Sequence, residues 1–270
     1  MIQLTKMAIA SMITITFFFA FAIWWLNHSP SILKTGNHFA MNNKLADLFC
    51  EKAIASNLIR QPVNTFSNII YLIVAVIIFK NKKRNINSVS DNINQFYESF
   101  LGYLLTYIFI CSVLFHATLA DIPLKFDFTA VCAFVAFPSI YFLHHFIFKK
   151  KNSSNDVEKI SFSLSFFITF YLLFLFTHYE KHNLEMLFLI MIYFILSFIV
   201  LIKNSVNRIY LFISRASVSV AVIWFELERN KIFCNPDGYL QLHSLWHIFI
   251  GLSAFYFYLY MLSRRDKIKT

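Results

Sequence analysis

The residues able to do chemistry in this sequence are few and far apart. His243 and His247 stand four residues apart in Leu242-His243-Ser244-Leu245-Trp246-His247, at the start of the last apolar stretch. On a helix that spacing turns both imidazoles to one face. A third histidine, His116, lies far upstream, with Ser112 one turn before it and Asp127 eleven residues after it. Three neutral imidazoles suit zinc and leave its fourth position to a water. Zinc would lower the pKa of that water and polarise a carbonyl. Asp127 is the candidate carboxylate to accept the water's proton and pass it to a leaving amine. Ser112 lies on the His116 face, where its hydroxyl could donate to the oxyanion of an attacked carbonyl. Its plainer role is a small residue bonded to its own helix backbone.

These residues are carried by apolar helices. The chain has 270 residues, 58% of them hydrophobic and 14% charged, with 34 Phe and only 4 Gly. That apolar share exceeds the usual range of a soluble domain. The apolar residues also fall in runs of about 18 or more, long enough to cross a hydrocarbon core of roughly 30 Å. The short alternating strands of a membrane β-barrel are missing from the pattern. The net charge of +10 does not indicate nucleic acid, because the basic residues cluster in short loops between apolar runs. That is the positive-inside pattern of a membrane protein.

Residues 8–26 form the first run, behind Lys6. The run ends in Trp24-Trp25-Leu26 and carries no small-x-small cleavage site, so an uncleaved anchor helix fits better than a signal peptide. A polar connection follows over 27–63. Pro62 suits the first turn of a helix that continues to about Phe79, and the Asn/Ser-rich segment to Gln95 reads as a loop. Further spans are expected at 98–118, 124–147, 160–178, 183–202, 208–226 and 240–262. The expected fold is an all-α polytopic membrane protein, a seven-transmembrane-helix bundle preceded by one extra N-terminal transmembrane helix. In domain terms, 1–30 is the anchor helix, 31–63 an outer-face loop segment and 64–265 a seven-helix intramembrane zinc hydrolase core.

Loop charge sets the orientation. With both termini cytoplasmic, the clusters Lys80–Arg84, Lys149–Lys151 and Arg264–Lys269 all fall inside. His116, Asp127, His243 and His247 then all lie towards the outer leaflet, an agreement that the motif itself did not impose. His28, His38, His144, His145, His178 and His182 read as structural or solvated.

Taken in order, Ser112-x3-His116-Ala117-Thr118, Asp127, Cys234-Asn235-Pro236 and His243-x2-Trp246-His247 resemble the alkaline ceramidase family, above all its bacterial ceramidase-like branch. Ile59-Arg60-Gln61-Pro62-Val63-Asn64-Thr65-Phe66-Ser67-Asn68 is similar to that family's entry into its first core helix. The likeness spans about residues 45–262. The wider superfamily, which includes the adiponectin receptors, shares the Ser/His/Asp/HxxxH skeleton. The resemblance implies a zinc amidohydrolase that takes ceramide or a related N-acyl lipid from the bilayer and releases a fatty acid. His116, His243 and His247 match the zinc ligands, Asp127 the carboxylate beside the zinc water, and Ser112 the serine beside the metal. It also implies a disulfide between Cys50 and Cys234. Eukaryotic members carry an acidic calcium site, for which Asp47 and Glu51 are candidates here. Gln61 stands where that branch has a glutamate, and Cys50 and Lys52 fall among its ligand positions, which weakens the case for calcium.

Other readings of the same residues are a receptor-like or structural membrane protein braced by a non-catalytic zinc, a lipid ester hydrolase, and a proton-relay transporter. No inverted repeat supports the last. The expected location is the cell (inner) membrane.

Overall fold

The computed structural model describes residues 43–54, 56–81, 89–148, 155–176, 183–203 and 208–267. The leading helix expected over 8–26 lies outside the described residues, as do His28, His38, His178 and His182. Every regular element among the described residues is helical: α1 (Asn43–Ala46), α2 (Pro62–Ser67), α3 (Ile69–Asn81), α4 (Val89–Thr118), α5 (Asp121–Phe148), α6 (Asn155–Phe176), α7 (Asn183–Lys203), α8 (Arg208–Arg229) and α9 (Leu242–Lys267). Six helical spans are long and apolar enough to cross a membrane, and a shorter apolar helical stretch runs over Phe188–Val200 in α7. By these helices the chain is a multi-pass membrane protein.

One boundary differs from the sequence reading, and one helix is subdivided. The helix expected from Pro62 is present as one span over Pro62–Asn81, divided into α2 and α3 at Asn68, which keeps helical dihedrals. Its side-chain Nδ2 donates to Asn64 O at 2.8 Å and to Thr65 O at 3.4 Å, carbonyls that a continuing helix would use. The segment before Gln95, expected as loop, belongs to α4 from Val89 onward. Those first turns gain partners that local propensity does not show: Lys159 Nζ donates to Asn92 Oδ1 at 3.1 Å, and Tyr97 Oη to Glu158 Oε1 at 2.7 Å.

The buried α5 is the central helix, packed by α4, α6 and α7, whereas α6 and α8 leave most of their surface uncovered. Exposed Leu164, Phe188, Ile209 and Phe212 fit a surface solvated by lipid. Away from the histidines the core is aromatic. Tyr97, Phe100, Phe137, Phe162 and Phe166 meet mainly edge to face, as with Phe100–Phe166 at 4.7 Å and Tyr97–Phe162 at 4.8 Å between centroids. Such pairs contribute about 0.5–1.5 kcal/mol each beyond area burial.

Three local features bring the chemistry to one end. Only Leu119 and Ala120 separate α4 from α5. Leu119 takes a left-handed φ of 48° yet is fully buried, against Leu45, Phe49, Phe115 and Leu124. Packing thereby offsets a backbone conformation that a leucine disfavours. Pro123 falls in the first turn of α5, where its missing N–H leaves no helical acceptor wanting. His116 and Asp127 thus come from adjoining helix ends. On α9, Gly251 lets the backbone meet α3: a Cβ there would sit 2.5 Å from Ile70 Cγ1.

Candidate functional site

His116 comes from the last turn of α4, and His243 and His247 from the first turns of α9. All three are buried, and one candidate ligand atom from each lies within 4.8 Å of the others. Their ring centroids are 4.9 Å (His116–His243), 5.2 Å (His116–His247) and 4.6 Å (His243–His247) apart.

The hydrogen bonds decide where the imidazole protons sit. Gln61 Nε2 donates to the backbone carbonyl of Glu51 at 3.0 Å, so the amide's other end is an oxygen. That Oε1 can only accept, and it lies 3.0 Å from His116 Nδ1. His116 therefore carries its hydrogen on Nδ1 and turns a lone pair on Nε2 inward. Ser67 Oγ donates its one hydrogen to Asn64 O at 2.9 Å and so accepts from His247 Nδ1 at 2.7 Å. Two of the three tautomers are thus fixed by outer partners, as for histidines that hold a metal. Meanwhile His116 Nε2 and His243 Nδ1 are buried without a hydrogen-bond partner. Each such orphan costs about 1–3 kcal/mol, and a cation shared between the rings would satisfy both. The donor set fits a metal ion.

Asp127 and Ser112 are both buried, the serine hydroxyl beside the carboxylate. Asp127 Oδ1 has no partner of its own. Tyr71 links this pair to the histidines. Its ring lies 6.0 Å from that of His247, it interacts electrostatically with Asp127, and its fully buried hydroxyl has no hydrogen-bond partner.

The segment before α2 closes the centre from the side. Phe49 sets its ring 4.4 Å from His243 and 5.1 Å from His116. Cys50 and Cys234 are joined in a disulfide, S–S 2.04 Å, and Lys52 N donates to Pro236 O at 3.0 Å. Lys231 Nζ donates to Phe49 O at 2.7 Å. Glu228, at the end of α8, accepts from Cys50 N and faces the N–H groups of Leu242 and His243, where α9 begins. A carboxylate there is favoured by the helix dipole. Burial lowers the Lys231 pKa from its ordinary value, against the pull of Glu228 and Asp47.

Glu51 accepts from Val63 N at 2.7 Å and Asn64 N at 2.8 Å, so both its oxygens serve the first turn of α2. Burial raises its pKa above 4.5; the two N–H groups oppose that, and Glu228 adds to it. As placed, this expected calcium candidate is a helix cap.

A family model described as Ceramidase matches residues 47–268. The chain belongs to the ceramidase family. Membership implies a membrane hydrolase that cuts the amide bond of ceramide. No curated protein and no solved structure matches the chain. The matched region of this ceramidase-family protein holds the histidine triad, Asp127 and Ser112, and both ends of the disulfide.

Sequence reasoning brought forward the three histidines but not their supports. Phe49, Tyr71 and Glu228 carry no motif, while Gln61 and Ser67 entered within the Ile59–Asn68 stretch, with no role beside the histidines. One signal was available for Glu228: an acid directly after an apolar run, Trp224-Phe225-Glu226-Leu227-Glu228, is costly unless partnered.

Proposed function

We propose that this ceramidase-family protein is an intramembrane zinc amidohydrolase that cleaves ceramide or a related N-acyl lipid into a fatty acid and a sphingoid or amino lipid. The observation that carries the reading is the buried triad, with two buried nitrogens unpartnered and two tautomers set by hydrogen-bond partners. His116, His243 and His247 would hold the ion. Zinc so held supplies a Lewis acid for the amide carbonyl and a water of lowered pKa.

The chain's own residues do the rest. Asp127 accepts the proton lost by the attacking water and delivers it to the departing nitrogen. Its unpartnered Oδ1 is the free acceptor for that role. Ser112, buried beside it, is the candidate donor to the oxyanion expected from the sequence. Tyr71, its ring 6.0 Å from that of His247, brings a buried, unpartnered O–H to the centre and is a second candidate donor to a developing negative charge. Phe49 excludes water from the histidines. The apolar helix surfaces take the acyl chains, so only the amide needs a polar site.

The Cys50–Cys234 disulfide beside the centre suits an oxidising face. That supports an active site at the outer leaflet of the cell membrane, with cytoplasmic termini. Metal content and hydrolysis test the reading together. Purified wild type should hold about one zinc per chain and release fatty acid from ceramide. His243→Ala with His247→Ala should lose both, and Asp127→Asn should keep the zinc and lose turnover. A folded wild type without zinc would refute it. Full turnover by Asp127→Asn would remove Asp127 from the mechanism.

A further inference from the structure

Arg215 is the one charged residue in the interior of α8, and nothing in the hydrolytic site uses it. It is thirteen residues before Glu228 on the same helix, roughly 20 Å at 1.5 Å per residue, so it stands well away from the histidines. Its guanidinium lies 4.9 Å from the Phe194 centroid and 6.0 Å from that of Phe198, both on α7. Its Nε is buried without a hydrogen-bond partner. Neither the described residues nor the local sequence offers it a carboxylate: no Asp or Glu occurs between Glu185 and Glu226. Arginine cannot escape this situation by losing its proton. A charged side chain at membrane depth needs a partner.

That partner has a place to lie. α7 and α8 border a groove of about 910 Å³ on the outside of the bundle, lined by Phe194, Phe198, Phe212, Arg208 and Arg215 among others. Arg208 and Arg215 are seven residues apart, two turns, and therefore on one face of α8. Arg208 is the first residue of that helix. The groove so joins two cations at one end to an aromatic wall. An anion with a long apolar tail matches both parts.

We propose that this groove binds an anionic phospholipid, its phosphate held by Arg208 and Arg215 and one acyl chain laid along Phe194, Phe198 and Phe212. Phosphate suits the guanidinium fork, which binds it through two parallel hydrogen bonds. The site is distinct from the one where substrate is cleaved, so this lipid is a bound constituent of the protein and not its substrate.

The test is native mass spectrometry of the delipidated full chain, titrated with phosphatidylglycerol, phosphatidylcholine or oleic acid of matched acyl length. Wild type should retain phosphatidylglycerol about tenfold more tightly than phosphatidylcholine, whose choline cation offsets the phosphate charge and is repelled by the two arginines. Arg215→Gln and Arg208→Gln should each abolish most of that preference, weakening phosphatidylglycerol more than phosphatidylcholine. Arg229→Gln, at the far end of α8, should alter neither. If Arg215→Gln fails to fold, Arg215→Lys serves, keeping the charge but losing the fork; it should show an intermediate preference. Equal retention of the two phospholipids by wild type would overturn the proposal, as would an undiminished preference in the Arg215 variant that folds. Oleic acid held as tightly as phosphatidylglycerol would replace it with a carboxylate site.

Discussion

Gln61→Ala tests whether the proposed zinc centre is merely assembled or is held. Gln61 is fully buried and bridges two elements: its Nε2 donates to Glu51 O, and its Oε1 accepts from His116 Nδ1. Truncation at Cβ therefore strands the Glu51 carbonyl and the His116 Nδ1–H at once, and removes the longer 3.5 Å contact from Asn64 Nδ2. At about 1–3 kcal/mol for each unsatisfied group, the variant should lose roughly 2–6 kcal/mol of stability, less whatever water recovers. The second effect is on the ion. Without an acceptor on Nδ1, His116 is free to rotate and to place its hydrogen on Nε2, where it blocks a ligand. Loss of such an outer partner typically lowers metal affinity 10–100-fold. Gln61→Glu is the informative companion, since a carboxylate still accepts from Nδ1 but can no longer donate to Glu51 O. It should keep zinc affinity within a few-fold of wild type while sharing the stability loss. Chelator competition on detergent-purified protein measures the affinities, and thermal melts of the same samples measure the stability. Wild-type zinc affinity in a folded Gln61→Ala protein would show that His116 is held by the helix bundle alone, and the tautomer argument would fall.

Three further outcomes follow from the same coordinates. Gly251→Ala should destabilise by about 1–3 kcal/mol as an overpacked contact, because its Cβ would meet Ile70 Cγ1 at 2.5 Å and Cβ at 3.2 Å. Gly102→Ala should cost less, since it meets only the far edge of the Phe79 ring, at 2.9 Å; paired thermal melts check the ranking. Reduction should lower the melting temperature of wild type but not of Cys50→Ser, because the disulfide closes a separation of 184 residues and such a link contributes typically 2–4 kcal/mol. Burial raises the Glu51 pKa above 4.5 in the folded protein, so above that pH the folded state keeps a proton that the unfolded chain has lost. Its contribution is full below 4.5 and falls as pH rises through the folded value. The stability difference between wild type and Glu51→Gln should therefore shift against wild type over that interval, and parallel melting curves would contradict the assignment.

How much of this was legible in the sequence depends on whether the cause was local. Helix content was, because apolar runs of membrane length admit little else. The convergence of His116 with His243 and His247 was legible as well, since loop charges and an i,i+4 spacing placed all three at one depth before any contact was known. The division at Asn68 was not, because it depends on a side chain competing for the carbonyls of Asn64 and Thr65. Nor was the start of α4, where Asn92 and Tyr97 are held by α6 residues more than sixty positions away.

The supports of the centre were hidden for a deeper reason. Glu228, Phe49 and Gln61 act through backbone groups and ring faces as much as through charge, and such contacts leave no spacing rule. Glu228 shows the consequence. One buried carboxylate accepts from Cys50 N and lies near the N–H groups that open the helix carrying two of the three histidines, its Oε2 without a partner. Gln61 does the equivalent for the third, since it joins Glu51 to His116. The same short segment thus contacts both sources of the triad, and the disulfide fastens it between them. Motif residues define what the centre could bind; the segment from Phe49 to Gln61 determines whether the imidazoles are presented to bind it. It follows that a chain keeping all three histidines, Asp127 and Ser112 but losing this segment would match the motif and still fail to hold the metal.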